Sequence, residues 1–299
     1  QTCVFRSAIG PQITAVSGPI ARQVGDLRRM VDEFSSFARM PRPSFREEAI
    51  VDVAASATAL AANEIAKARN KIIMFNGPGS IRLSNEACGP YTIHYVFDTF
   101  GQANVTGLAA VKSGLDSWFF LTADYAFGHD LEKDTANVVQ KTGGKVLGSV
   151  RHPLNTSDFS SFLLQAQASK AKVIGLANAG GDTINAIKQG AEFGITKSGQ
   201  KVSPLLVFVT DINSVGLETA QGLLLAEAFY WDFNDETRAF SKRFMERVKR
   251  VPTSAQAGVY SSVTHYLKAV KAAGTTDAAA VIKIMKETPI NDMFAKNGK

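Results

Sequence analysis

The chain has little of what marks several large classes of protein. Its 299 residues include two cysteines, Cys3 and Cys88, which are too few for a disulfide scaffold. No run of ~20 apolar residues could span a bilayer. The net charge of +6 is spread along the chain, without the basic runs that favour nucleic-acid binding. With 45% hydrophobic and 20% charged residues, the composition is that of a globular protein of one or two domains.

The motifs of common catalytic and cofactor sites are also missing. There is no G-x-S-x-G, H-E-x-x-H or P-loop motif, and no cluster of cysteine and histidine. The glycine-containing loop at residues 76–80 is no dinucleotide fingerprint, because Pro78 lacks an N–H and Arg82 replaces the third glycine. Three acidic residues alternate on one predicted helix, where such neighbours share no face, and we interpret them as solvated: Asp130, Glu132 and Asp134. We therefore expect a non-enzymatic protein without catalytic residues, cofactor or metal.

A repeated unit of strand, turn and helix fills residues 118–189. Its three apolar runs, at residues 118–121, 146–150 and 173–176, are typical of parallel strands covered on both faces by helices. The loops at residues 123–130 and 177–183 should leave the carboxyl ends of their strands together. In open α/β sheets, ligands bind at that edge.

The rest of the chain from residue 49 has the same alternating character. We predict strands at residues 50–53, 71–75, 91–97, 204–211 and 223–229. We predict helices from an N-cap at Ser56 to residue 68, and at residues 98–111, 235–248, 254–273 and 277–286.

Three stretches, at residues 121–135, 148–171 and 175–195, resemble periplasmic substrate-binding proteins of ABC transporters, of the type I, branched-chain amino acid (Leu/Ile/Val) binding family. The likeness extends from about Ala49 to the last residue. It implies an α/β fold of two doubly wound parallel-sheet lobes that close on a ligand. Lobe one would comprise residues 49–114 and 251–299, and lobe two residues 115–250.

The resemblance also implies that lobe one is incomplete. Relatives have several strand and helix units before the position of Ile50, and they continue beyond the position of Lys299. Because a lobe needs its core to offset the entropy of ordering its chain, we expect lobe two to be the stable part and ligand capture to be impaired by truncation.

The first 48 residues look foreign to this pattern. They contain seven arginines and no lysine, whereas the remaining 251 residues contain seven arginines and 19 lysines. Residues 21–43 resemble the dimerisation helix of nitrogen-regulation sensor histidine kinases, and Pro41 and Pro43 would end that helix. Kinase function does not follow, because no phosphoacceptor histidine precedes the helix. We interpret the chain as chimeric, with a foreign helix at residues 1–48.

Two positions match those that hold the charged groups of an amino acid in the family. Ser80, after Gly79, matches the loop that binds the ligand carboxylate, although it could instead be a turn serine that caps the next helix. Asp211, at the end of a predicted strand, matches the acceptor of the ligand ammonium, although it could instead be an Asx-turn residue.

Further candidates follow the other strands. Tyr125 and Phe127 would cover the ligand side chain, unless they are core or surface aromatics. The next loop offers three candidates by resemblance: Asn178, Gly180 and Asp182. Asp182 could equally cap a helix at residues 183–194. Asp98, with Thr99, follows a strand that leads toward the cleft in relatives, whereas His94 is interpreted as a satisfied structural histidine and Cys88 as unpaired.

By resemblance, the function is capture of a small amphipathic acid for an ABC importer: a branched-chain or other apolar amino acid, or an aromatic acid. The implied partner is the membrane permease, with no nucleic acid, and the expected state is a monomer. The location would be periplasmic, although the sequence as given begins without a signal peptide. The alternative is a signalling protein in which the kinase-like helix carries a sensing domain. A third possibility, an α/β enzyme, has no set of catalytic residues behind it.

Overall fold

A computed structural model describes the backbone of residues 48–298 and the side chains of residues 58–298. The prediction of a foreign, kinase-like helix at residues 1–48 lies outside the described residues. The helices of the described part are α1 (Glu48–Ala68), α2 (Thr99–Lys112), α3 (Ala126–Lys141), α4 (Ser160–Ala168), α5 (Gly180–Glu192), α6 (Val209–Val215), α7 (Asp235–Val248), α8 (Ser254–Ala273) and α9 (Ala278–Glu287). Short 3-10 turns lie at Ile81–Leu83 and Thr196–Ser198.

The strands form three separate sheets. They are β1 (Ile73–Phe75), β2 (Thr92–His94), β3 (Ser117–Ala123), β4 (Lys145–His152), β5 (Val173–Ala177), β6 (Lys201–Pro204), β7 (Ile290–Asn291) and β8 (Lys296–Gly298). Strands β1 and β2 form a parallel pair, β7 and β8 an antiparallel pair, and the other four form a sheet in the order β4-β3-β5-β6. All pairings in the four-stranded sheet are parallel, as the repeated strand and helix units predicted.

The four-stranded sheet is buried on both faces by helices. Successive side chains of a strand point to opposite faces, and β3 divides its residues between two cores. Phe119 and Leu121 belong to one apolar cluster, to which α4 and α5 contribute. Trp118 and Phe120 belong to another, with residues of α2 and α3. This arrangement confirms the predicted doubly wound α/β class.

Helix α2 packs on the four-stranded sheet, although the resemblance placed it in lobe one. Ala110 of α2 belongs to the same buried cluster as Trp118. A Cβ on Gly107 would lie 3.3 Å from the Val138 side chain, so α2 and α3 approach closely. The boundary at residue 114 stays a prediction, and packing continues across it.

The pair of strands β1 and β2 is covered by helices from both ends of the described chain. Phe75 packs with Ala59 of α1 and with Leu83. Ile93 packs with residues of α8 and α9, including Ala269 and Val281. Residues near the carboxyl end of the chain therefore complete the core around β1 and β2.

Several predicted elements match the structure and three do not. The helices at residues 235–248 and 254–273 have the predicted bounds. The predicted strand at residues 50–53 and the cap at Ser56 are wrong, because both fall inside α1, whose alanine-rich sequence favours a helix. The predicted strand at 204–211 is also wrong: β6 ends at Pro204 and α6 begins at Val209, although Leu205 N–H still donates to the Leu176 carbonyl at 3.2 Å.

The third wrong element is the strand predicted at residues 223–229, because these residues form no strand in the structure. Its run of apolar residues passes beside β6, where Leu224 N–H donates to the Val202 carbonyl at 3.0 Å. Ser203 Oγ donates to the Leu224 carbonyl at 2.8 Å. A side-chain bond thus takes a carbonyl that a regular ladder would use.

Cys88 is disulfide-bonded, so the predicted free thiol is wrong. The chain's other cysteine, Cys3, lies outside the described residues. We predicted a free Cys88 because the segment that contains Cys3 looks foreign to the rest of the sequence. A disulfide, however, requires only that two cysteines come close in space with suitable geometry.

The acidic residues of α3 are less solvated than predicted. Glu132 accepts a hydrogen bond from Thr122 Oγ1 of β3 at 2.5 Å. Asp134 accepts from Thr99 Oγ1 of α2 at 2.7 Å, and partial burial raises its pKa. Because residues two apart diverge around a helix, one carboxylate faces the sheet and the other faces α2.

Candidate ligand-binding site

The carboxyl end of the four-stranded sheet receives the amino terminus of α3 at very short range. A Cβ on Gly128 would lie 2.2 Å from the Ala123 carbonyl oxygen and 3.0 Å from that of Ala177. Only glycine allows this approach without displacing backbone. It sets Tyr125 and Phe127, in the residues just before, at the edge where α/β sheets bind ligands.

Aromatic rings surround Gly79 at this edge. A Cβ on Gly79 would lie 2.9 Å from Phe97 Cε2 and 3.0 Å from Phe127 Cε2. The Phe127 ring centroid is 5.9 Å from that of Tyr125, and the Phe97 centroid is 6.1 Å from that of Phe208. We call Phe97, Phe127 and Phe208 the aromatic wall. The structure thus brings the loop after β1 against the loop after β3.

Ser80 is half-buried at the end of this loop and does not act as a cap. It precedes the 3-10 turn Ile81–Leu83 in extended conformation, and its side chain makes no capping hydrogen bond. The alternative interpretation of Ser80 as a capping serine is therefore wrong. Its role in binding a ligand stays a prediction.

Asp98 is the N-cap of α2 and belongs to a polar network. It is 6% exposed. One oxygen accepts from Gly101 N–H at 2.7 Å and the other from Ser84 Oγ at 2.9 Å. With these partners, Asp98 starts α2, and its predicted contact with a ligand stays a prediction.

His94 is buried and hydrogen-bonded through both ring nitrogens, which confirms the predicted satisfied histidine. Nε2 lies 2.7 Å from the Pro78 carbonyl oxygen and Nδ1 lies 2.8 Å from Ser84 Oγ. Burial lowers the pKa of His94, while the hydrogen bond to Pro78 and the charge of Asp98 oppose that change.

The loop after β5 is organised by a buried network rather than by exposed side chains. Asn178 is fully buried: its oxygen accepts from Thr183 Oγ1 at 2.7 Å, and its Nδ2 lies 3.1 Å from His152 Nε2. His152 Nδ1 lies 2.9 Å from the Pro153 carbonyl, so Nδ1 carries the proton and Nε2 accepts from Asn178. Asn178 can therefore act on a ligand only through the position of its loop.

Gly180 and Asp182 both lie in the first turn of α5. The helix begins at Gly180 with Ala179 as N-cap, so the prediction of Asp182 as the cap of a helix at 183–194 is wrong. Asp182 is buried, and its carboxylate accepts from Asn155 N–H at 3.2 Å. A carboxylate in the first turn is favoured by the helix dipole. Gly180 is exposed at the start of the helix.

Asp211 lies in the first turn of α6, not at the end of a strand. Its Oδ2 accepts from Phe208 N–H at 2.8 Å, and burial raises its pKa. Glu227, which the sequence analysis missed, interacts with it: burial raises the pKa of Glu227, and the charge of Asp211 adds to that rise. The signal in the sequence was one acidic residue within an apolar run.

The buried His152 predicts a specific dependence of stability on pH. Burial lowers its pKa from the ordinary value of about 6.5, so the unfolded chain binds a proton there that the folded protein does not. Below about pH 6.5, the free energy of unfolding should therefore decrease as the pH decreases. The contribution of this residue is up to about 1.4 kcal/mol per pH unit. Urea unfolding of the wild type and of His152→Gln, which does not titrate, measures the difference. Equal pH dependence in the two proteins would contradict this assignment.

Two kinds of site are absent from residues 48–298 as described. None of their helices has both the length and the apolar character needed to cross a membrane. No group of three or more histidine, cysteine, aspartate or glutamate side chains among them is placed to hold a metal ion.

Parallel α/β sheets with a glycine-containing loop and aromatic side chains at their carboxyl ends are typical of α/β proteins that bind a ligand at that edge. The sequence profile described as periplasmic binding protein matches residues 48–299. The chain therefore belongs to the periplasmic binding protein family, and its fold is the type I fold of that family.

Solved structures and curated sequences agree with this membership. The chain is similar to a periplasmic binding protein from Burkholderia mallei, with 55% identity and a TM-score of 0.75 over 80% of this chain and 64% of that one. It is similar to a branched-chain amino acid ABC transporter periplasmic ligand-binding protein from Burkholderia xenovorans, with 35% identity and a TM-score of 0.76 over 81% and 65% of the two chains.

Among curated sequences, the Leu/Ile/Val-binding protein homolog 6 of Brucella melitensis is 26% identical over 206 residues, which are 66% of this chain and 52% of the relative. The chain thus spans about half the length of this relative. A separate match of 24 residues, 83% identical, joins 8% of the chain to 3% of the nitrogen regulation protein NtrY of Azorhizobium caulinodans.

Proposed function

We propose that this protein captures a small amphipathic acid, without chemical change, as the solute-binding component of an ABC importer. The observation that carries the proposal is the contact of Gly79 with Phe97 and Phe127. The loop that carries the Ser80 hydroxyl thus lies beside two apolar rings: Phe97, which follows β2 of the same sheet, and Phe127, which follows β3 of the four-stranded sheet. A carboxylate and an apolar body would thereby be held by different sides of one site.

The chemistry of the surrounding residues defines the ligand class. The Ser80 hydroxyl and the loop amides suit a carboxylate, since hydrogen bonds to a charged group are strong. The aromatic wall suits an apolar side chain or ring, whose burial contributes about 25 cal/mol per Å². Asp211, with Glu227 nearby, suits an ammonium group. An apolar amino acid would use all three features, and an aromatic acid the first two.

The importer context follows from family membership. The partner would be a membrane permease that accepts the solute, and the protein would act as a monomer in the periplasm, without binding nucleic acid. The proposal is of a binding protein, not an enzyme.

A thermal-shift panel tests the proposal with the protein as it exists. L-leucine, L-phenylalanine and benzoate should be compared with cyclohexanol, which has an apolar body and no carboxylate. A ligand at 100 times its Kd stabilises the folded state by about 2.7 kcal/mol, so at least one acid should raise Tm by several degrees. No shift with any acid, or an equal shift with cyclohexanol, would refute the proposed capture of an acid.

The second candidate, a sensor that dimerises through a kinase-like helix, is favoured by the short match to NtrY. Light scattering on the purified protein separates the two. A stable dimer supports the sensor, and a monomer counts against it.

A further inference from the structure

Two backbone carbonyls of the loop that carries Ser80 accept hydrogen bonds that hold the loop in place. His94 Nε2 lies 2.7 Å from the Pro78 carbonyl oxygen. Thr99 N–H, at the start of α2, donates to the Gly79 carbonyl at 3.0 Å. Because a carbonyl only accepts, Nε2 carries the proton of the first bond. The two carbonyls immediately precede Ser80, so the direction of its amide and hydroxyl depends on these donors.

The other nitrogen of His94 joins a chain of polar contacts that ends at the N-cap of α2. Ser84 Oγ lies 2.8 Å from His94 Nδ1 and 2.9 Å from Asp98 Oδ2. Asp98 Oδ1 accepts from Gly101 N–H at 2.7 Å. His94 is therefore one of the two donors that hold the loop. It is connected to the other donor, Thr99 N–H, through Ser84 and the N-cap Asp98.

The number of protons available to this series of hydrogen bonds depends on the charge of His94. With a neutral ring protonated at Nε2, the Ser84 hydroxyl has one proton for two acceptors, His94 Nδ1 and the Asp98 carboxylate. With a protonated ring, Nδ1–H donates to Ser84 Oγ and the Ser84 hydroxyl donates to Asp98, so every contact is made. Burial favours the neutral ring, and the carbonyl of Pro78 and the charge of Asp98 favour the protonated one.

His94 also borders a cavity of about 140 Å³ between β2 and the helices that cover it. Three other ionisable side chains border the same cavity, Tyr95, His265 of α8 and Lys286 of α9, and Asp98 lies beyond Ser84. Asp98 is the acidic group joined to His94 by hydrogen bonds. A charge on His94 is therefore balanced on the side that faces Ser84.

We propose that His94 is a positioning residue of the ligand site: it orients the loop through Pro78 and, when protonated, strengthens that loop's hold on a carboxylate through Ser84 and Asp98. The inference rests on the proposed function, because it concerns the same site. The positive charge acts in the same direction, since it attracts an anion. Affinity for a carboxylate therefore rises as the pH falls through the titration of His94.

Two variants separate the roles of the two ring nitrogens. His94→Gln places an amide N–H near the position of Nε2 and retains the bond to Pro78, whereas His94→Asn reaches only the position of Nδ1. In calorimetric titrations with L-leucine and with benzoate at about pH 7.5, His94→Gln should bind like the wild type and His94→Asn about 3- to 10-fold more weakly. Between about pH 7.5 and about pH 5.5, wild-type affinity should rise about 3-fold or more, and neither variant should show that rise.

The outcomes distinguish this inference from the function on which it rests. If the wild type binds neither acid, the proposed function fails and the inference fails with it. If the wild type binds and both variants match it in affinity and pH dependence, only the inference is overturned. Where a variant does not fold, NMR titration of the wild-type imidazoles decides. Ligand must raise the pKa of His94 by the base-10 logarithm of the factor by which protonation tightens binding, and an unchanged pKa overturns the inference.

Discussion

Replacement of Gly128 by alanine should lower the free energy of unfolding by about 3 kcal/mol or more. The added Cβ would lie 2.2 Å from the Ala123 carbonyl oxygen and 3.0 Å from that of Ala177. Both obstacles are backbone, so α3 must move away from the sheet. Urea unfolding measures the loss, and ligand binding should weaken with it because Phe127 lies at the same end of the helix.

Gly190 in α5 provides the matched control. A Cβ there would meet the Leu163 and Ile195 side chains at 3.7 Å and 3.9 Å, which are ordinary contacts. Since alanine favours a helix over glycine by up to about 1 kcal/mol, Gly190→Ala should be neutral or stabilising. A Gly128→Ala protein as stable as Gly190→Ala would show that α3 does not approach the sheet as described.

Replacement of Ser80 by alanine should weaken the binding of a carboxylate ligand by about 10- to 100-fold. Hydrogen bonds to charged groups contribute about 1.5–3 kcal/mol, and the variant loses the one from the hydroxyl. Stability should change by less than about 0.5 kcal/mol, because the Ser80 side chain makes no capping hydrogen bond. Calorimetric titration and urea unfolding of the same preparation give both values.

Ser214→Ala is the control for Ser80→Ala. Ser214 is exposed on α6, and its hydroxyl donates to the Thr210 carbonyl one turn back. Its removal should alter neither affinity nor stability by a measurable amount. A Ser80→Ala protein that binds like Ser214→Ala would exclude the hydroxyl from the ligand contact.

Elements with a strong periodic pattern along the sequence were predictable, and elements that rested on a short apolar run were not. The amphipathic helices at residues 235–248 and 254–273 have the predicted bounds because turn-forming residues and caps flank them. The apolar run at residues 204–211 matched a strand in composition, yet β6 ends at Pro204 and a helix begins at Val209. Short apolar runs do not distinguish a strand from a buried helix by periodicity.

The candidate site was predictable in its loops and not in its contacts. The family resemblance predicted both Gly79 and Phe127 as ligand-site residues, and the structure places them together. The network of His152, Asn178 and Thr183 joins residues up to about thirty positions apart, and no local pattern indicates such pairing. Glu227 likewise meets Asp211 only through the fold.

The measurement that tests the central claim most directly compares an acid with its uncharged amide. Calorimetric titration should be run on the wild type with L-leucine against L-leucinamide, and with benzoate against benzamide. If the loop at Gly79 and Ser80 holds a carboxylate beside the aromatic wall, at least one acid binds and its amide binds 10-fold or more weakly, because a charge-assisted hydrogen bond is lost. Equal affinity for an acid and its amide, or no binding of either acid, would contradict the account.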